Sequence, residues 1–189
     1  MGGNLSLKTR GVLATGGVVA TWLEGAQIQK NVRWYRRQGV LYPPSNSSLE
    51  TVSDAAESRR QMREWANSPP ARAAGVDFRI VETRDWWTEL ASYRFLASPM
   101  GSAIQTAKTV EALLVLTVPI IQRMNYAAHD ELVSMGFPIV LVESWPEVTA
   151  EAAERWWRAL SPRLESFRRN CMTVDGFWRI YTGQVRFCT

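Results

Sequence analysis

From Gly75 onward the chain alternates short apolar runs with helix-patterned segments, and this alternation restricts its fold more than any other feature. Residues 76–81 have the period of two of a strand. Asp85 stands where it can cap a helix carrying Trp86, Leu90 and Tyr93 on one face. Residues 94–97 read as a second strand, stopped by Ser98-Pro99. A loop with Gly101 follows, then a helix from about Thr106 to Leu116. Residues 119–121 form a third strand. Residues 138–142 form a fourth, apolar throughout, as strands covered on both faces of a parallel sheet are. Thr149 can cap the next helix, through Trp156 and Leu160, and Ser161-Pro162 reads as the start of another, with proline at its favoured first position. Such alternation with short connections predicts an α/β, Rossmann-like parallel sheet with flanking helices. Ligands of such sheets gather beyond the carboxyl ends of the strands, where the loop from Ser98 to Gln105 is placed.

Before residue 75 the pattern is weaker. Residues 43–48, Pro-Pro-Ser-Asn-Ser-Ser, are a linker by composition, residues 53–65 a charged helical stretch, and Asn67-Ser68-Pro69-Pro70 its end. The chain is therefore divided into an irregular, partly helical N-terminal extension or acceptor-half remnant, 1–75, and a Rossmann-like domain, 76–189. The net charge of +4 belongs to the first part, where nine Lys/Arg up to residue 70 face five Asp/Glu; beyond it the counts are equal. Lys30, Arg33, Arg36 and Arg37 form the densest cluster, read as a solvated helix face. No nucleic-acid motif accompanies it, and none is expected as a partner.

Cys171 and Cys188 have no metal or Cys-x-x-Cys spacing, and the single His129 gives no basis for a histidine-rich metal site. No metal or other cofactor is expected. A disulfide between the cysteines remains open, as does its absence. The apolar run 11–23 is too short for a bilayer span and resembles a signal-peptide core behind Lys8 and Arg10, with a poor cleavage site. Met1-Gly2-Gly3-Asn4-Leu5-Ser6 fits a myristoylation pattern with Gly2 as acceptor, which makes a lipid-anchored peripheral protein an alternative reading.

Residues 86–157 carry an ordered set of motifs: Trp87-Thr88-Glu89-Leu90-Ala91-Ser92-Tyr93-Arg94-Phe95, Ser98-Pro99-Met100-Gly101, Glu111-Ala112-Leu113-Leu114, Val118-Pro119-Ile120-Ile121, Phe137-Pro138-Ile139-Val140-Leu141-Val142 and Glu143-Ser144-Trp145-Pro146-Glu147-Val148-Thr149. In order and spacing this set resembles the C-terminal, donor-binding domain of exostosin-like glycosyltransferases, in the versions widespread in algae and protists. The resemblance implies one half of a two-lobed GT-B arrangement, a nucleotide diphosphate sugar as donor, a glycan as acceptor, and a Golgi or secretory location. If Gly2 is myristoylated, the expectation is instead a membrane-associated cytoplasmic protein. By the same resemblance Gly101, Thr106, Lys108 and Glu111 are the donor-site residues: glycine for close approach of backbone to the diphosphate, lysine for its charge, and glutamate for sugar or ribose hydroxyls.

The chain departs from the family's pattern at Ala103, Gln105, Ala107, Lys108, Val110 and Thr117, where the family has glycine, aspartate, histidine, arginine, tryptophan and glycine. These departures, and the absence of a complete acceptor half from the pattern, lead us to expect no sugar transfer by the chain alone. A non-catalytic nucleotide-sugar or glycan binding module, or a partner subunit, is the alternative. No catalytic base is nominated. Trp145, directly after the last strand and before a proline, is expected to pack rather than to meet a ligand.

Overall fold

The computed structural model describes residues 4–15, 46–100, 107–124 and 126–188. Gly2, Gly101, Thr106 and the cluster of Lys30, Arg33, Arg36 and Arg37 lie outside the described residues, as do Ala103 and Gln105. Five strands form one all-parallel sheet: β1 (Arg10–Thr15), β2 (Val76–Arg79), β3 (Tyr93–Ala97), β4 (Val118–Gln122) and β5 (Val140–Val142), in the order β2-β1-β3-β4-β5. The helices are α1 (Asn46–Ala66), α2 (Pro69–Ala73), α3 (Trp86–Ser92), α4 (Ala107–Leu114), α5 (Ala128–Ser134), α6 (Ala150–Cys171) and α7 (Val174–Tyr181). The architecture is α/β and Rossmann-like. All four strands expected after residue 75 are present and parallel.

The fifth strand is the main departure from the sequence reading. Residues 11–15, read as the first part of a signal-peptide-like core, form β1 with Arg10 in the interior of the sheet, paired with β2 through Val12–Val76 and with β3 through Val12–Phe95. Its side chains alternate: Val12 and Ala14 enter the larger core, whereas Leu13 joins Leu90, Leu96 and Ala112 in a second cluster. Gly11 is required at the start of this strand, because a Cβ there would stand 2.6 Å from the Gly75 carbonyl oxygen. Gly75 itself has φ +78°, so a glycine also makes the turn into β2. Residues on both sides of position 75 therefore build the same sheet and core.

Helix α1 is longer than the expected 53–65 and buries Met62, Trp65 and Ala66. It is followed by α2, whose first residue is Pro69 and whose cap is the Ser68 side chain, accepting from the Ala71 amide. Two expectations at helix starts need correction. Asp85 occupies the capping position of α3 but makes no side-chain capping hydrogen bond. Pro162 does not begin a helix; it lies inside the continuous α6. Proline removes an amide donor, yet the inward-facing row of Ala152, Trp156, Leu160, Leu164, Phe167 and Cys171 runs unbroken past it, so burial on both sides holds the helix together. Thr149 caps α6 as expected, accepting from Ala152 N at 3.2 Å.

Trp145 is 1% exposed and stacks on Trp65 at 5.8 Å between ring centroids, a packing residue as the sequence indicated. A disulfide joins Cys171, the last residue of α6, to Cys188, and settles the question the sequence left open. The Cys188 amide donates to Met135 O at 2.8 Å, which fastens the C-terminal segment to the turn between α5 and β5.

Candidate functional site

In a sheet ordered β2-β1-β3-β4-β5 the chain moves outward from β1 in one direction to β2 and in the other to β3, β4 and β5. The carboxyl ends of β1 and β3 therefore bound the crevice where the winding reverses, the position at which open parallel sheets take ligands. Thr15 ends β1 and Ala97 ends β3. Two elements deliver polar side chains to this edge, α1 and α4.

Lys108 and Glu111, three residues apart near the start of α4, share one face of the helix. The Lys108 ammonium donates to Thr15 Oγ1 at 3.2 Å and lies 5.2 Å from the centroid of the Trp86 ring. The indole Nε1–H of Trp86 donates to Glu111 Oε2 at 2.8 Å. Trp86 is thus a bracket with a cation on its face and a carboxylate on its polar edge. Burial, and then the charge of Arg59, push Lys108 below the usual lysine range, while Glu111 opposes the shift. Helix α4 is seated below this face by Thr109, Ala112 and Leu113, which are buried; Ser98 and Thr109 hydroxyls lie 3.2 Å apart. Ala107 and Val110, at the family's histidine and tryptophan positions, are exposed and add no polar group.

The contribution of α1 was not among the expectations drawn from the sequence. Ser58 is fully buried, accepts from the Met100 amide at 3.3 Å and donates to Gln122 Oε1 at 3.0 Å. The next residue, Arg59, donates through Nε to Met100 O at 2.9 Å, so both backbone polar groups of Met100 are held by consecutive residues of one helix. Gln122 Nε2 donates to Gln61 Oε1 at 2.7 Å, and the Tyr126 hydroxyl donates to Asp54 Oδ2 at 2.9 Å. A polar row of α1 (Asp54, Ser58, Arg59, Gln61) is consequently laid along the carboxyl edge from the end of β3 to the end of β4. The pattern was available as a polar i, i+4 row in a helical stretch, but such rows are most often solvated and only the strand partners distinguish this one.

Of the four donor-site residues expected from the resemblance, the described residues include Lys108 and Glu111, and these two meet at Trp86. Thr15, Arg59 and Trp86 join them without having been expected. Among the described residues two cations, Lys108 and Arg59, are partly buried at the crevice, and Glu111 is the carboxylate that acts on Lys108. Among the described residues no group of three or more His, Cys, Asp and Glu is arranged to hold a metal ion. Chemically, the edge offers cationic hydrogen-bond donors, a threonine hydroxyl and an aromatic face, a set suited to an anion joined to a polar ring. No protein-family model matches the chain, and no curated protein matches it.

Proposed function

We propose that this chain is a glycosyltransferase-like protein of the exostosin type, one lobe of a GT-B arrangement, whose carboxyl-edge crevice takes a nucleotide diphosphate sugar destined for a glycan acceptor. The observation that carries the reading is the convergence of Lys108 and Glu111 on Trp86 beside the end of β1. The resemblance assigns these two residues to a diphosphate and to sugar or ribose hydroxyls, and they share one helix face at the ligand edge of the sheet. Gly101 and Thr106 belong to the same proposal through the resemblance. Lys108 would hold the leaving diphosphate by electrostatic attraction, which is strengthened in a partly desolvated crevice.

A second reading, a binding lobe without catalysis of its own, is favoured by a specific contact: the Glu111 carboxylate accepts from the Trp86 indole, so hydroxyls of a sugar must compete for it. Lysine at the family's arginine position also lacks the two-pronged geometry for phosphate. We therefore expect the isolated chain to bind a nucleotide sugar and not to transfer it. A calorimetric panel of uridine and guanosine diphosphates and their sugars tests the reading, with Lys108→Met and Glu111→Ala as partners. Binding at or below millimolar concentration, weakened by both substitutions, supports it. No binding by any member of the panel ends it. Incorporation of labelled sugar into a glycan, abolished by Glu111→Ala, would overturn the non-catalytic reading alone.

A further inference from the structure

Arg59 is held at the end of β3 by its Nε–H, yet its Nη1 is shielded from solvent and has no hydrogen-bond partner among the described residues. An unpartnered buried N–H is costly, and more so where the group is charged. The acids of the neighbouring turns are committed elsewhere: Asp54 accepts from Tyr126, Glu57 holds Arg60 and Gln61, and Glu111 accepts from Trp86. Burial pushes the Arg59 guanidinium below its ordinary pKa, and the Arg59 charge in turn depresses Lys108. Two cations of like sign are therefore kept close and partly desolvated by two different elements, α1 and α4, with Glu111 the carboxylate that acts on Lys108.

We infer that Arg59 and Lys108 together hold one phosphoryl-class anion in the crevice between the carboxyl ends of β1 and β3. Glu111 offsets part of the positive charge, and the charge that remains, with the open Arg59 N–H, calls for an anion with several acceptor oxygens. A tetrahedral phosphoryl group can also accept at once from a guanidinium N–H and from an ammonium fixed to Thr15, because its oxygens diverge. The inference rests on the proposed donor reading only for the source of the anion, the diphosphate of a nucleotide sugar. It adds a ligand from α1, outside the segment 86–157 that carries the resemblance, and so makes the N-terminal part of the chain a component of the binding site.

The test uses the full chain and inorganic pyrophosphate, titrated in a calorimeter at low ionic strength. Wild type is expected to bind, and Arg59→Gln to lose about tenfold or more in affinity, the effect of one charge-assisted contact. Because no acid among the described residues pairs with Arg59, the Gln variant is expected to melt close to wild type in the absence of anion. Arg59→Lys, which keeps the charge and loses the planar fork, serves if the Gln variant fails to fold; it is expected to lose affinity several-fold. Wild-type affinity in the folded Gln variant, wild-type affinity in Arg59→Lys, or no pyrophosphate binding by wild type would overturn the inference. Nucleotide sugars that bind no tighter than pyrophosphate would retire the donor reading and leave the anion site standing. Nucleotide-sugar binding that is insensitive to Arg59→Gln would do the opposite.

Discussion

Two lysines lie at opposite ends of the same sheet, and each donates a hydrogen bond to a threonine hydroxyl. Lys8, two residues before β1, is 5% exposed and reaches Thr117 Oγ1 at 2.6 Å, at the amino ends of β3 and β4. Lys108 reaches Thr15 Oγ1 at the carboxyl end of β1. The surroundings differ. At the amino end Thr117 is fully buried and its hydroxyl lies within 3.0 Å of the carbonyl oxygens of both Leu90 and Tyr93, so the ammonium meets a closed knot of backbone and hydroxyl groups. At the carboxyl end the second cation, the aromatic face and the Arg59 Nη1, without a hydrogen-bond partner among the described residues, leave bonding capacity unspent. The amino end is built to close the fold, and the carboxyl end is built to receive something. Parallel sheets assign these tasks to these ends because crossover connections return the chain to the amino side and leave loops and helix starts at the other.

The comparison breaks most sharply at Lys8. Burial pushes this lysine down from 10.5 to about 7, and no carboxylate offsets it. Between those values the unfolded chain binds a proton that the folded chain does not, so stability must rise with pH across that window and be flat in this group's contribution below it. A shift of this size corresponds to roughly 4 kcal/mol at neutral pH, and Lys8→Met is expected to recover most of it and to flatten the slope. Urea unfolding at pH 7 and at roughly pH 9 measures both. Staying below the ordinary tyrosine value of 10.0 avoids Tyr93, whose phenol burial pushes up and which therefore acts in the opposite sense. A wild-type midpoint independent of pH, or a Met variant less stable than wild type, would show that Lys8 is charged and welcome at the amino end.

Two further changes on the amino side should cost stability and leave anion binding intact. Gly11→Ala drives a methyl group to 2.6 Å from the Gly75 carbonyl oxygen, backbone against backbone, and is expected to destabilise by about 3 kcal/mol. Reduction of Cys171–Cys188, which spans 17 positions and ties α6 to the C-terminal segment, is expected to cost about 3 kcal/mol by releasing the unfolded chain. Both are read by denaturant midpoint, with pyrophosphate affinity measured on the folded fraction. Loss of affinity larger than the unfolding explains would mean that the two ends of the sheet are energetically coupled, and the division of labour between them would fail.

The same division explains what could be read beforehand. The strands 94–97, 119–121 and 138–142 were legible because short apolar runs are separated by helix-patterned stretches, and 138–142 is apolar throughout, as a strand buried on both faces is. The strand at Arg10–Thr15 has an apolar centre as well, but glycines at 11, 16 and 17 and the basic Lys8 and Arg10 at its start give it the outline of a leader segment. Only pairing with β2 and β3, about 65 and 80 positions away, distinguishes a strand from a leader there, and local sequence carries no such information. Thr117 is a departure from the glycine of the resembling family; in the structure it is the partner of Lys8, a role invisible until Lys8 is placed. At the carboxyl end, Lys108 and Glu111 could be named together because helix spacing puts them on one face. Arg59 could not, because it comes from a helix whose charged surface reads like any solvated one.

The smallest effect is expected at Trp86, and it sharpens the comparison from inside the carboxyl edge. Trp86→Phe keeps an aromatic face for Lys108 and removes the indole N–H that occupies Glu111. In stability the change is worth about 1 kcal/mol, the net value of one partly exposed hydrogen bond. Its effect on ligands is more informative than its cost. If Glu111 is a structural acceptor for Trp86 and nothing more, nucleotide-sugar affinity should be unchanged, and pyrophosphate affinity should fall slightly as the weaker phenyl face holds Lys108 less well. If Glu111 instead serves a sugar or ribose hydroxyl, freeing its carboxylate should raise nucleotide-sugar affinity relative to pyrophosphate, by about two- to fivefold for one hydrogen bond no longer competed away. We expect the second outcome. The ratio of the two affinities cancels any general loosening of α4, because both ligands depend on Lys108 and only one presents a hydroxyl. A ratio equal to that of wild type would assign Glu111 to the fold and reduce the site to its anion-binding half.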